Sequence, residues 1–151
     1  MGLFGHSYND LCKKGREALE SGDEEKASEH FLQAIRNDQS KPRAFAWLGM
    51  TYQEAVNAFL RQDEPVKAKE YGELAIRAFD EAIRRETDPA LKAEEWWQRG
   101  VTLGAMDRTS ERDASWNEAE KAVPGFSSKR KGNSLDALEQ AINDVTKSDN
   151  K

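Results

Sequence analysis

The chain has 151 residues, 37% of them hydrophobic and 34% charged, with a formal net charge of −5; that is length enough for one solvated domain with a real core, and a balance that argues against wholesale binding to nucleic acid or an anionic membrane. Helix-forming residues abound and there are only four prolines, so intrinsic preference points to helix throughout and to no sheet. The single cysteine, Cys12, has no partner for an internal disulfide, no apolar run approaches the ~18–20 residues of a membrane span, and the expected setting is cytoplasmic.

The opening MGLFGHSYND is too short and too uncharged at its start for a secretory signal, and the hydroxyl that would accompany a myristoylated Gly2 is displaced at residue 6 by His6. Neither modification is expected. From Tyr8 to Leu19 the apolar residues Tyr8, Leu11, Cys12, Ala18 and Leu19 recur at helical spacing, with Gly15 on the same face. Ser21-Gly22-Asp23 breaks this helix, Gly22 supplying the turn and Asp23 a cap for the next. A second helix over residues 24–36 presents Ala27, Phe31, Ala34 and Ile35, and the short turn imposes an antiparallel hairpin. A polar linker runs to Pro42. A third helix, from Arg43 to about Arg61, carries Phe45, Leu48, Tyr52, Ala55, Val56, Phe59 and Leu60.

Gln62-Asp63-Glu64-Pro65 restarts the chain as a fourth helix whose stripe is Val66, Ala68, Tyr71, Leu74, Ala75, Ala78, Phe79, Ala82 and Ile83, and Thr87-Asp88-Pro89 stops it. A third hairpin opens near Ala90 with Trp96, Gly100 and Leu103, turns at residues 107–109, and returns through Trp116, Ala119 and Val123 to Pro124. A basic loop over residues 127–132 precedes a last amphipathic helix, from residue 133 or 134 to about Val145, striped by Leu135, Leu138, Ile142 and Val145. The expected fold is all-α, with about seven helices.

These hairpins resemble the tetratricopeptide repeat (TPR) family, whose first helix carries a large residue, then leucine and glycine, then tyrosine, and whose second carries alanine, an aromatic, alanine and proline. Phe45, Leu48, Gly49 and Tyr52 match the first-helix half; Leu11, Gly15, Ala18, Ala27, Phe31 and Ala34 match in the first repeat; Trp96, Gly100, Leu103, Trp116, Ala119 and Pro124 match in the third. Gly15 and Gly49 are thirty-four residues apart, the period of the family. The resemblance implies a right-handed superhelix of antiparallel helix pairs in a single domain over 1–151: repeat 1 at about 8–41, repeat 2 at 42–89, repeat 3 at 90–126, and a capping helix at 133–147 that closes the open end of the solenoid. In it the glycines are packing residues at close helix crossings.

The period fails once. Thirty-four residues beyond Ala27 stands Arg61, and the Ala, Phe, Ala pattern appears instead at Ala75, Phe79 and Ala82, an insertion of fourteen residues. Shared between the two helices, it adds about two turns to each, roughly 10 Å, so the middle hairpin should project. Its added Phe59, Leu60, Val66 and Tyr71 either pack on one another or offer a contact surface and a homo-oligomer interface. Lys14, Arg99 and Arg112 stand at interior signature places and must snorkel.

No catalytic constellation emerges. His6 and His30 are the only histidines, no His, Cys or carboxylate set repeats at metal spacing, and the adjacent acids Glu94-Glu95 and Asp23-Glu24-Glu25 read as solvated faces. No cofactor is expected. The TPR resemblance implies a binding scaffold for a protein or peptide partner, with a concave groove lined by Asn9, Cys12, Arg16, Arg43, Ala46, Met50, Gln53, Glu94, Trp97 and Val101. The family's two-carboxylate clamp for chaperone tails would fall on Cys12, Arg16, Trp47, Glu94 and Gln98, of which only Arg16 can hold a carboxylate, so such a clamp is not expected. Met50, Trp97 and Val101 instead make a semi-apolar strip suited to an amphipathic helix or extended peptide, unless the C-terminal helix or the chain's own extension covers it. The alternative contact, with nucleic acid or the ribosome, would use Lys129, Arg130 and Lys131.

Overall fold

The computed structural model describes residues 6–130, 138–140 and 142–143. Among them there are helices and turns and no strand. The helices are α1 (Tyr8–Glu20), α2 (Glu24–Asn37), α3 (Arg43–Arg61), α4 (Pro65–Arg85), α5 (Pro89–Ala105), α6 (Thr109–Ala122) and a single turn, α7 (Phe126–Lys129). They gather into two compact units, Met1–Arg85 and Glu86–Lys151. Helices α1 to α4 form two hairpins in the first unit, and α5 and α6 form one in the second.

All three hairpins turn the same way. At each, the third turn residue sends its backbone N–H back to a carbonyl five residues earlier: Asp23 to Ala18, Glu64 to Phe59, and Arg108 to Leu103, at 2.9 Å in every case. The central residue is left-handed, with φ of 84° at Gly22, 56° at Asp63 and 61° at Asp107. This six-to-one closure satisfies helix-end carbonyls that would otherwise lack donors, and it requires a residue that tolerates positive φ. Glycine does so without a Cβ penalty, and aspartate is among the few other residues that visit this region.

Each hairpin also crosses through a glycine. A Cβ on Gly15 would stand 2.5 Å from the Phe31 ring, one on Gly49 2.7 Å from Phe79, and one on Gly100 2.5 Å from Trp116. The expected role of these glycines as close-approach residues is therefore seen three times. The same contacts locate the insertion. From crossing glycine to turn residue is seven positions in the outer hairpins (Gly15 to Gly22, Gly100 to Asp107) and fourteen in the middle one (Gly49 to Asp63). From turn residue to ring is nine in the outer two and sixteen in the middle. One heptad has entered each helix, which keeps both apolar stripes facing inward, since seven residues make almost two whole turns.

The first unit's core is Phe31 and Phe79, both fully buried, with Trp47, Leu48, Val56 and Ile76 around them. Phe31 and Trp47 stack with centroids 6.3 Å apart. Helix α3 has no side-chain cap of its own at Pro42; instead the Tyr8 hydroxyl of α1 accepts the Ala44 N–H at 2.8 Å. A buried donor at the helix start is thereby satisfied by a neighbouring helix rather than by the local sequence. At the same open end of this hairpin Arg85 covers the Phe45 ring, 4.3 Å from its centroid, and donates to the Gln39 carbonyl at 2.6 Å.

Three readings of the sequence need correction. In α4, Val66 is 71% exposed and Leu74 is also exposed, while Gly72 and Ile76 are buried; the buried stripe runs Ala68, Gly72, Ala75, Ile76, Ala78, Phe79, Ala82 and Ile83, so the expected face holds from Ala75 onward and is narrower than expected in the first turns. Thr87-Asp88-Pro89 does not merely stop α4: Asp88 accepts the Leu91 N–H at 3.0 Å and Pro89 opens α5, the combination of N-cap and first-turn proline. Residues 127–129 of the expected basic loop belong to the helical turn α7. It is held by Glu120, whose carboxylate accepts from the Gly125 and Ser127 backbone N–H groups at 2.9 and 2.7 Å. Lys131, Gly132, Leu135 and Val145 lie outside the described residues, as does Gly2; of the expected last helix, Leu138 and Ile142 are helical and buried.

The charged residues at interior places do snorkel. Arg112 lays its stem against Gly104 and its guanidinium over Trp116, 4.9 Å from the centroid. Arg99 lies 5.5 Å from the Trp96 ring and donates to the Ser115 hydroxyl. Lys14 reaches outward to the exposed His6, Nζ to Nε2, at 2.8 Å.

Candidate functional site

The groove-facing positions divide by burial. In the first unit Cys12, Ala46, Met50 and Gln53 are buried, Met50 completely, whereas Asn9 is exposed and Arg16 and Arg43 are half-buried. Cys12 belongs to a small core of Tyr8, Leu11, Ala34 and Ala44. Burial pushes its thiol up to about 11, more than the hydrogen bond with Tyr8 and the nearby Arg16 and Arg43 charges can offset. It is a wall residue, as expected of a small apolar side chain.

Over that wall stand two guanidinium groups. Arg16 lies 5.7 Å from the Trp47 ring centroid, and its buried Nε has no hydrogen-bond partner among the described residues. Neither Arg16 nor Arg43 makes an ion pair among the described residues, and both act electrostatically on the same Cys12 thiol. Two cations thus converge on one half-buried surface formed by α1 and the start of α3 without a carboxylate to neutralise them.

In the second unit the expected groove residues are already engaged. Glu94, 2% exposed, is clamped by Arg130, whose Nε lies 3.0 and 3.1 Å from the two carboxylate oxygens and whose second nitrogen donates to Oε1 at 2.6 Å. Gln98 Nε2 donates to the same oxygen at 2.8 Å. Trp97 stacks on Trp116 with centroids 4.6 Å apart, meets the Phe126 ring edge at 6.0 Å, and has the Arg130 guanidinium 5.3 Å from its centroid. Val101 is half-buried.

Met50 is fully buried and offers no surface, while the half-buried Trp97 packs against Trp116, Phe126 and Arg130. Of the basic residues 129–131, Arg130 faces Glu94, Lys129 is exposed and Lys131 lies outside the described residues. Of the supposed clamp positions Trp47 and Gln98 are buried as well.

A second concavity escaped the sequence reading. The extra heptads of α3 and α4 overhang the first turn of α2, leaving a cleft of about 540 Å³ lined by Glu24, Glu25, Tyr52, Phe59, Tyr71 and neighbours. The signal for it was present in the aromatic residues of the inserted heptads, but their inward aim depended on the split of the insertion. Among the described residues no group of His, Cys, Asp and Glu could hold a metal ion, and no helix is long and apolar enough to cross a membrane.

Comparison with solved structures agrees with this architecture. The Arabidopsis OM64 TPR domain superposes with a TM-score of 0.63 at 13% identity, covering 89% of this chain and 93% of that one. The fold is TPR-like. MamA matches at 0.59 with 16% identity over 95% and 81% of the two chains, and the first TPR of Spaghetti (RPAP3), solved bound to the HSP90 peptide SRMEEVD, at 0.53 with 13% identity over 96% and 99%. No protein-family model and no curated protein matches the sequence.

Proposed function

We propose that this protein is a non-enzymatic interaction module that takes a peptide or helix of a partner protein on the surface of α1 and α3, with Arg16 and Arg43 as its anchors. The observation that carries the reading is the pair of guanidinium groups with no ion pair among the described residues, one with a buried Nε that meets no acceptor among them. A buried donor without an acceptor costs on the order of 1–3 kcal/mol, which an incoming carboxylate would recover as a charge-assisted hydrogen bond. The expected ligand is therefore an acidic segment, docked beside Asn9 over the wall that includes Cys12. A TPR neighbour bound to SRMEEVD, a peptide with three acidic residues, supports this chemistry in general.

The test is fluorescence anisotropy with labelled SRMEEVD and its counterpart in which the acidic residues are glutamine. The acidic peptide should bind, more weakly as salt rises, and Arg16→Gln with Arg43→Gln should weaken it at least tenfold. Equal binding of both peptides, or by the double variant, would remove the reading.

A further inference from the structure

We propose that the cleft beneath the overhang of α3 and α4 is a second binding site, which receives an arginine or lysine side chain presented by a partner protein. Its walls are three aromatic rings: Tyr71 lies 5.2 Å from Phe59 and 5.9 Å from Tyr52, centroid to centroid. Aromatic faces carry the negative part of the ring quadrupole and attract cations within about 6 Å. One such contact is already made at the edge, where Lys67 Nζ stands 5.5 Å from the Phe59 centroid.

The opposite side is acidic. Glu24 and Glu25 line the cleft from the start of α2, and Glu54 of α3 is close enough to Glu24 to feel its charge. None of these three carboxylates has an ion pair or a side-chain hydrogen bond among the described residues. Burial, and then the Glu24 charge, pushes the Glu54 carboxyl up, with only Arg61 opposing. An arriving cation would relieve that repulsion and face the rings at once. The volume falls within the ~300–1,000 Å³ of ligand sites, and the charge pattern selects against an acidic or purely apolar occupant.

The site also explains why the inserted heptads carry aromatic residues. The rings Tyr52, Phe59 and Tyr71 serve the cleft, and the exposed Leu74 lines it beside them, where an apolar neighbour of a bound cationic residue would rest. This cleft is separate from the Arg16 and Arg43 surface and opposite to it in charge.

The experiment uses the full chain and capped pentapeptides Ala-Leu-Xaa-Leu-Ala, with arginine, lysine, glutamine or glutamate at Xaa, followed by NMR of the aromatic ring signals. Arginine and lysine peptides should shift the Tyr52, Phe59 and Tyr71 resonances saturably; the others should not. Glu25→Gln with Glu54→Gln should weaken the arginine peptide at least fivefold while leaving the helical circular dichroism unchanged. The Arg16→Gln, Arg43→Gln protein should bind it as wild type does, which separates this site from the acidic-peptide surface. Binding of the glutamine peptide as tightly as the arginine peptide would overturn the proposal. So would ring shifts that appear on concentrating the protein alone and track a dimer in sedimentation, since the occupant would then be a second copy.

Discussion

Gly49 offers the sharpest test of the packing. Replacing it with alanine has two opposed consequences. In an exposed helix the change would stabilise by about 1 kcal/mol, because alanine loses less backbone entropy and shields the helix. Here the new Cβ would stand 2.7 Å from Phe79 Cε1 and 2.8 Å from Cδ1 and Cζ, inside the body of a ring that is itself fully buried. The ring cannot swing into solvent, so α3 and α4 must part or the ring must leave its rotamer, and overpacking of this kind costs roughly 1–3 kcal/mol. The net expectation for Gly49→Ala is a loss of about 1 kcal/mol, and for the larger Gly49→Leu about 2 kcal/mol or more. Phe79→Leu removes the atoms that clash, so the double variant Gly49→Ala, Phe79→Leu should be more stable than the sum of its parts by about 1 kcal/mol. Urea unfolding of the four proteins gives the cycle, and amide hydrogen exchange in α3 and α4 assigns the change to this hairpin. A Gly49→Ala protein that gains the full helix propensity, with no coupling to Phe79, would refute the crossing.

Cys12, with its thiol raised to about 11 by burial, should be almost wholly protonated at pH 8 and react with iodoacetamide roughly a hundredfold or more slower in the folded chain than in urea; the rate should climb as pH rises toward 11, and a native rate within threefold of the unfolded one would contradict its place in the wall. Arg130→Ala strands Glu94, whose side chain is only 3% exposed, and should destabilise the second unit by about 3 kcal/mol, whereas Glu94→Leu with Arg130→Leu, which removes both charges, should cost much less; denaturant unfolding read by Trp97 and Trp116 fluorescence checks both, and an Arg130→Ala protein as stable as wild type would mean that the pair is not formed.

What could be read from the sequence was what repeats or lies close along the chain. The period of thirty-four, the crossing glycines and the fourteen-residue break were visible because each hairpin solves the same packing problem, so a residue forced in one recurs in the others. The features that escaped were single events between distant positions. Arg130 meets Glu94 across thirty-six residues, and nothing in a lysine- and arginine-rich stretch distinguishes a cation that turns inward from one that stays in water. Met50 shows a related limit: a signature places a residue on the inner face of its helix but does not tell how far the side chain is buried there, and Met50 is buried completely. The aromatic cleft lies between these cases. Its residues were noticed as an oddity of the inserted heptads, and a seven-and-seven split makes them overhang α2, whereas the same fourteen residues placed in one helix alone would have thrown the turn out of line with its partner. Period and composition therefore specify the fold, and the places where this chain departs from its own period are where the features peculiar to it are to be sought.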